Sequence, residues 1–237
     1  MRIITITMFS AILALSVGCG GGGGGAGPAF AGFQFDPTDF VGVPIDNPRF
    51  PLTPGKRYVF QGMTASGLER SVFEVTRNTK TLLGIVCVEV HDQGFLDGAL
   101  VEDTLDWFAQ DDEGNVLYFG EDTKQISGGV VTGTTGSWQY GLNGATPGVV
   151  MPAVPFLGQT YSEEDAPGVA EDMAQVVGLG EGVTTPLATY AGCLHTENFT
   201  PLEPGVIEDK FYASGVGAVL ELTEDGERIE LIAIESF

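Results

Sequence analysis

Hydrophobic and polar residues alternate with a period of two along most of the chain after Asn47, and turn-forming residues interrupt the alternation at short intervals. Turns recurring about every 8 to 12 residues are typical of an antiparallel sandwich, barrel or half-barrel. No segment of comparable length has the spacing of an amphipathic helix. The pattern predicts an all-β fold, an antiparallel sandwich or open half-barrel of about twelve short strands.

The predicted strands are separated by polar turns. The clearest hairpin turn is at residues 111–115, where Gly114 and Asn115 adopt positive φ at low cost. The segment 141–158 contains three prolines and is expected to cross from one half of the sheet to the other. The predicted strands lie near residues 57–62, 70–76, 82–92, 100–110, 116–121, 137–140, 160–164, 173–177, 192–198, 207–213, 218–223 and 228–234.

The amino-terminal residues 1–18 have the pattern of a secretory signal peptide. Arg2 is followed by an apolar stretch, Ile3–Val17, which is shorter than the roughly 20 residues that span a bilayer. The stretch ends in the sequence LSVGC, which resembles the lipobox of bacterial lipoproteins, although Ser16 stands where that family prefers leucine. The resemblance implies a lipoprotein signal peptide and lipidation of Cys19. Ordinary cleavage with Cys19 left as a free thiol is the alternative.

Residues 19–46 are predicted to be a flexible tether that follows the lipidated cysteine. Gly20–Gly25 is an unbroken glycine run, and such a chain gains little by burial. Acyl chains at Cys19 would bind the protein to a membrane. Gly20 after the cysteine is compatible, by the lipoprotein resemblance, with sorting to the outer membrane or cell surface. The expected location is therefore the cell envelope.

Composition restricts the partners of the protein. The 237 residues include 10 Lys and Arg against 32 Asp and Glu, a formal net charge of −22. This charge repels phosphate backbones and excludes nucleic acid as a partner. A hydrophobic fraction of 43% supports a buried core. No change of composition divides residues 47–237, so they are predicted to form a single β-domain.

Several segments resemble a family of exported bacterial β-rich proteins for which no activity is assigned. The resemblance covers nearly all of the chain after the tether and implies a whole-domain fold, not a reaction. Residues 210–217, KFYASGVG, are similar to the YYAPGVG turn of curved antiparallel sheets, with Ser214 in place of proline. By analogy, the domain could be a half-barrel like those of periplasmic lipoprotein carriers. The segments that carry the resemblance are 47–62, 82–92, 97–122, 148–161 and 200–219.

Two strands carry alternating cysteine, histidine and glutamate residues. Residues with a spacing of two share one face of a strand, so antiparallel pairing of the two strands would bring both sets together. Thiolate and imidazole ligands could then hold zinc or copper. The alternatives are two unlinked core thiols or a disulfide between Cys87 and Cys193. The candidate residues are Cys87, Glu89 and His91 on one strand and Cys193, His195 and Glu197 on the other.

Clustered acidic residues are candidate calcium ligands, because Ca²⁺ takes six to eight oxygen ligands. The turn sequence DDEGN departs from the D-x-D-x-D-G loop of dedicated calcium sites. A hydrated acidic surface that keeps the domain soluble is the alternative interpretation. The candidate calcium ligands are Asp111, Asp112 and Glu113 in the turn and Asp122 further along the chain.

Aromatic residues on the predicted strands are either core residues or the lining of an open concave face that binds an apolar ligand or an envelope protein. No G-x-S-x-G, H-E-x-x-H or P-loop motif is present, and the only histidines are His91 and His195. The leading hypothesis is a lipid-anchored binding module that is not an enzyme. A metal-binding protein and a hydrolase are the alternatives. The aromatic candidates are Trp107, Tyr118, Trp138 and Tyr140.

Overall fold

The computed structural model describes residues 34–40, 42 and 44–237. The predicted signal peptide, Cys19 and the glycine run lie outside the described residues. No helix in these ranges is long and apolar enough to cross a membrane.

Strands dominate the described residues, whose only helical element is a single 3₁₀ turn at Pro37–Asp39, and the all-β prediction is confirmed. The three strands that the sequence pattern missed are β6, β8 and β10, which are short or contain proline or glycine. The fifteen strands are β1 (Lys56–Thr64), β2 (Gly67–Leu82), β3 (Ile85–Leu96), β4 (Ala99–Gln110), β5 (Val116–Ser127), β6 (Val130–Gly133), β7 (Trp138–Gln139), β8 (Thr146–Met151), β9 (Thr160–Ser162), β10 (Glu164–Asp165), β11 (Met173–Thr184), β12 (Thr189–Phe199), β13 (Glu208–Ala213), β14 (Gly217–Leu222) and β15 (Arg228–Ser236).

All fifteen strands belong to one antiparallel sheet that is nearly closed into a barrel. The strand order is β10-β8-β5-β4-β3-β2-β1-β15-β14-β13-β12-β11-β9, while β6 and β7 also pair with β5. Two meanders, β1 to β5 and β11 to β15, meet where β1 pairs with β15, with Tyr58 opposite Ile234. The edge strands β10 and β9 are close in sequence, which brings the two ends of the sheet near each other.

The proline-bearing segment 141–158 is not only a crossing, because residues 146–151 form β8. This strand pairs with β5 on one side and with β10 on the other, where Pro147 lies opposite Glu164. Gly148 permits this close approach, since a Cβ at this position would lie 2.2 Å from the carbonyl oxygen of Glu163. Pro147 is the second residue of β8 and precedes Gly148, where the pairing with β5 begins, so the proline occupies the start of the strand and not its doubly paired part.

Alternation along the strands places polar as well as apolar side chains in the interior. On β4, Glu102, Thr104 and Asp106 are buried, whereas the intervening Asp103 and Leu105 are partly exposed. Phe108 continues the inward face and stacks on Tyr118 with ring centres 4.6 Å apart. One part of the interior is therefore an ordinary apolar core, and another part is rich in carboxyl groups.

The described part of the predicted tether packs against the sheet. The ring of Phe35 lies 5.2 Å from that of Tyr140, and the ring of Phe40 lies 5.3 Å from that of Phe119. Ile45 is buried and forms a β-bridge. Aromatic and aliphatic side chains gain by this burial in a way that glycine does not, so the packed domain begins earlier in the chain than residue 47.

Candidate functional site

A cavity of about 330 Å³ lies beside β4 and β5, and the two tryptophans of the chain both line it. We call it the tryptophan cavity. Its volume falls in the range of small-molecule sites, and its lining combines aromatic, charged and amide groups. The lining residues are Lys80, Trp107, Glu121, Asp122, Ser137, Trp138, Gln139, Leu142, Asn143, Ala145, Ala166, Pro167 and Val169.

Lys80 and Trp107 form one wall of the tryptophan cavity. Nζ of Lys80 lies 3.2 Å from the ring centre of Trp107, which is a cation–π contact. Burial lowers the pKa of Lys80, and the nearby charges of Asp122 and Glu89 oppose that shift. Nε1 of Trp107 is buried without a hydrogen-bond partner in the described part of the chain. This wall can offer a cation to a ligand.

Trp138 forms a second wall, and its position depends on a glycine. Gly120 has a φ of 131°, and a Cβ there would lie 2.4 Å from the carbonyl oxygen of Trp138, so only glycine lets β7 pair so closely with β5. Nε1 of Trp138 donates a hydrogen bond of 2.9 Å to Glu164 Oε1. The indole also meets Tyr118 edge-on, with ring centres 5.4 Å apart.

A pair of buried carboxyl groups, Asp106 and Glu121, adjoins the tryptophan cavity, and Glu121 is part of its lining. The hydroxyl of Tyr118 donates to Asp106 Oδ1 and lies 3.3 Å from Glu121 Oε2. Burial raises the pKa of Glu121 to about 8 and raises that of Asp106 well above its usual value, with the charge of Glu121 adding to the second shift. Burial and the mutual repulsion of the two carboxyl groups therefore favour their protonated forms.

A second group of interior acids surrounds Lys210 on β13. Lys210 lies directly opposite Glu221 on β14. Burial raises the pKa of Glu163 to about 7 and that of Glu208 to about 8. Asn198 Nδ2 donates a 2.6 Å hydrogen bond to Glu163 Oε2. Glu208 and Glu221 were not among the residues predicted from sequence. They lie on the separate strands β13 and β14, and Glu163 lies between β9 and β10, so no local spacing indicates that they come together.

The four aromatic candidates do not form an open concave face. Trp107, Tyr118 and Trp138 are only 4%, 1% and 6% exposed. Two of them line the tryptophan cavity, and Tyr118 contacts Trp138 from the interior. Tyr140 packs instead against Phe35 and has no part in the cavity. The expectation of an exposed aromatic lining is wrong because the nearly closed sheet fills its interior with side chains.

The structure does not bring the two cysteine-bearing strands together. Cys87 lies on β3, which pairs with β2 and β4, and Cys193 lies on β12, which pairs with β11 and β13. Both residues are buried free thiols. Burial raises the pKa of Cys87 to about 12, which leaves it a poor ligand and nucleophile. The described residues contain no group of three or more His, Cys, Asp and Glu side chains arranged to hold a metal ion.

Each histidine has a separate acidic partner. Nε2 of His91 lies 2.6 Å from Asp103 Oδ1, and Nε2 of His195 lies 2.6 Å from Asp209 Oδ1. Neither imidazole has a hydroxyl or thiol among its hydrogen-bond partners in the described residues, and neither lines the tryptophan cavity. The remaining members of the two sets, Glu89 and Glu197, lie on β3 and β12, so the pairing that would have assembled a metal site does not occur.

The four calcium candidates are also divided. Asp111 accepts hydrogen bonds from the backbone N–H groups of Glu113 and Asn115, so it organises the β4–β5 turn. Asp112 and Glu113 are exposed in that turn. Asp122 lies six residues into β5, about 20 Å along the strand from its start, and contacts Lys124. A single ion cannot use both groups of ligands at that separation.

Comparisons with known proteins give one distant structural likeness. No protein-family model and no curated protein matches the chain. A crystal structure of a protein from Parabacteroides distasonis, provisionally described as a lipoprotein, matches with a TM-score of 0.41 and 14% sequence identity, covering 78% of this chain and 97% of that chain. A likeness at this level carries no conclusion about this chain's family or function, and the resemblance to exported β-rich proteins stays a prediction.

Proposed function

We propose that this chain is an exported, lipid-anchored envelope protein that binds a small molecule in the tryptophan cavity. The observation that carries the binding proposal is the convergence of both tryptophans, Lys80 and Asp122 on one space of about 330 Å³. Sites of this kind combine apolar walls with a few polar groups that fix orientation. The lipid anchor rests on the sequence LSVGC and the glycine run that follows it.

The lining indicates the chemistry of the ligand. The indole of Trp138 and the side chains of Leu142 and Val169 provide apolar contact, while Asn143 and Gln139 provide amide donors and acceptors. Lys80 supplies a cation that has lost part of its hydration. A small molecule with an apolar portion and an anionic or acceptor group fits this combination.

Tryptophan fluorescence tests the binding proposal, because every tryptophan of the protein lines the cavity. The full chain is titrated with free amino acids, monosaccharides and nucleosides at millimolar concentration. We expect one class to give a saturable change in emission, with Lys80→Met weakening binding about tenfold, which is the loss of roughly one charge-assisted hydrogen bond. Lys56→Met is the matched control, because Lys56 contacts Ser236 and does not line the cavity.

Two outcomes would contradict the proposal. One is a response that Lys80→Met and Lys56→Met alter equally. The other is the absence of any response from a protein whose native mass is that of the bare chain. The anchor is tested separately, since the mass of the amino-terminal peptide from cell-grown protein must equal that of an acylated peptide beginning at Cys19. No contact in the described part of the chain favours the metal or hydrolase hypotheses.

A further inference from the structure

The loop between β8 and β9 exposes three large apolar side chains. Val154, Phe156 and Leu157 are 81%, 55% and 66% exposed. Two hydrogen bonds hold the loop in this conformation. The backbone N–H of Ala153 donates to Asn115 Oδ1, and the backbone N–H of Phe156 donates to Gln159 Oε1. Exposed apolar groups held this way mark an interaction surface.

The loop lies within a long uncharged segment of the chain, which also includes the β5–β6 turn. Residues 125–162 contain no Asp, Glu, Lys, Arg or His, although the chain as a whole is 18% charged with a net charge of −22. The loop is therefore an uncharged, apolar part of a strongly acidic molecule. Charged side chains oppose entry into the acyl region of a membrane, and their absence here removes that cost. Asp112 and Glu113 are exposed in the β4–β5 turn, which adjoins the loop through the hydrogen bond from Ala153 to Asn115.

The amino-terminal segment reaches the sheet beside this loop. Asn47 Nδ2 donates to the carbonyl oxygens of Gly114 and Pro152, the latter at the start of the loop. Further upstream, the carbonyl oxygen of Asp39 accepts from the N–H of Asp112 in the β4–β5 turn. Fourteen residues lie between Cys19 and Gln34, and the fifteen Cα–Cα steps span at most about 50 Å. A membrane holding Cys19 is within reach of the loop.

We propose that the β8–β9 loop, residues 152–159, inserts Val154, Phe156 and Leu157 into the lipid surface to which the chain is anchored. This inference rests on the proposed lipid anchor and adds a second, non-covalent contact. The acyl chains at Cys19 hold the chain at the membrane, and burial of the three loop side chains adds apolar contact to that anchor. The loop would also fix which end of the sheet faces the membrane, with the β5–β6 turn pointing away.

Site-directed fluorescence tests the orientation. Phe156→Cys and Val130→Cys variants of the mature chain are labelled with an environment-sensitive dye; the buried Cys87 and Cys193 resist labelling, and Cys19 is acylated in the proposed form. Val130 is the matched control, because it is 64% exposed and lies beyond the opposite end of β5 from the loop. In vesicles carrying a bilayer-embedded quencher, we expect the label at 156 to be quenched and that at 130 to be unaffected.

A binding measurement isolates the contribution of the loop. The Cys19→Ser chain, which carries no acyl group, is titrated with phosphatidylcholine vesicles and with vesicles that also contain phosphatidylglycerol. Replacing Val154, Phe156 and Leu157 together by serine is expected to weaken vesicle binding by tenfold or more, since apolar burial is lost at three exposed positions. The neighbouring acidic turn predicts weaker binding to the anionic vesicles.

The outcomes separate this inference from the proposed anchor. Equal quenching at 156 and 130 in vesicles holding an acylated chain would overturn the loop contact and leave the anchor in place. An unmodified amino terminus together with quenching at 156 would overturn the anchor and leave the loop contact. A concentration-dependent change of the label at 156 without vesicles would identify a second copy of the chain as the occupant and overturn the inference.

Discussion

Nε1 of Trp138 donates a hydrogen bond of 2.9 Å to Oε1 of Glu164, and this contact joins the wall of the tryptophan cavity to the acidic interior of the sheet. Burial raises the pKa of Glu164 well above its usual value, and the charge of Asp172 adds to the shift. The indole N–H is the donor that Oε1 of Glu164 accepts from, and the same carboxyl group also interacts with the side chain of Asp172.

The two tryptophans should differ in what they contribute to stability. Trp138→Phe removes the N–H that Glu164 accepts and leaves a buried oxygen without a donor, whereas Nε1 of Trp107 has no partner to lose. We expect Trp138→Phe to lower the free energy of unfolding by about 1–3 kcal/mol more than Trp107→Phe does. Urea denaturation followed by far-ultraviolet circular dichroism measures both. Equal losses would contradict the role given to this hydrogen bond.

The interior acids predict that the fold is more stable at acid pH. Burial raises the pKa of Glu121 and Glu208 to about 8 and that of Glu163 to about 7. The folded protein keeps protons that the unfolded chain, with carboxyl pKa values near 4.5, releases. The stabilisation is complete below pH 4.5 and is lost as the pH rises towards 8. The melting temperature should therefore fall steadily from pH 5 to pH 8.

A neutral replacement of one interior acid should remove part of this dependence. Glu121→Gln needs no proton, so its free energy of unfolding at pH 8 should exceed that of the wild type by on the order of 1 kcal/mol, and the difference should vanish near pH 5. Glu113→Gln, in the exposed β4–β5 turn, makes the same charge change and is the control. A pH-independent difference for Glu121→Gln, matching that of the control, would show that burial does not hold a proton there.

The period-two pattern was sufficient to predict the all-β class, because alternation reports directly which face of a strand is buried. It was less informative for β8 and β10. Pro147 within β8 argues locally against a strand. The pairing of β8 with β10 depends on the close approach of Gly148 to Glu163, which lie far apart in the local pattern. Two-residue strands such as β10 have no period to detect.

The candidate site was only partly predictable for a related reason. Trp107 and Trp138 were named from sequence, but their meeting at one cavity depends on β7 pairing with β5, which no local pattern indicates. Nothing in the sequence distinguishes Asp106 and Glu121 from acidic residues on the surface. They are buried because the sheet closes around them. The suggested pairing of the Cys87 and Cys193 strands failed because strand order is a global property.

Thiol chemistry checks the separation of Cys87 and Cys193. Both are buried, and the strands that carry them are not neighbours in the sheet. The native protein should therefore be nearly unreactive towards an aromatic disulfide reagent at pH 8, and two thiols besides position 19 should react once urea unfolds the chain. Peptide mapping without reductant that recovers a linked Cys87–Cys193 peptide would refute this arrangement.

The start of the packed domain is tested by truncating an aromatic side chain in the predicted tether. Phe40 packs against Phe119 with ring centres 5.3 Å apart and an edge-on geometry. Phe40→Ala should lower the free energy of unfolding by about 1–2 kcal/mol, because the ring is partly buried. Urea denaturation gives the value. If Phe40→Ala leaves the free energy of unfolding unchanged, residues 34–46 would belong to the flexible tether and not to the packed domain.

Native mass spectrometry of the mature chain, purified from the cells that produce it, tests the central claim most directly. If the tryptophan cavity is a binding site, the folded protein carries one small molecule in excess of the chain and its amino-terminal acyl groups. That mass is released on unfolding and is reduced in Lys80→Met but not in Lys56→Met. A folded chain with no added mass, whose tryptophan emission no tested small molecule alters, would contradict the account.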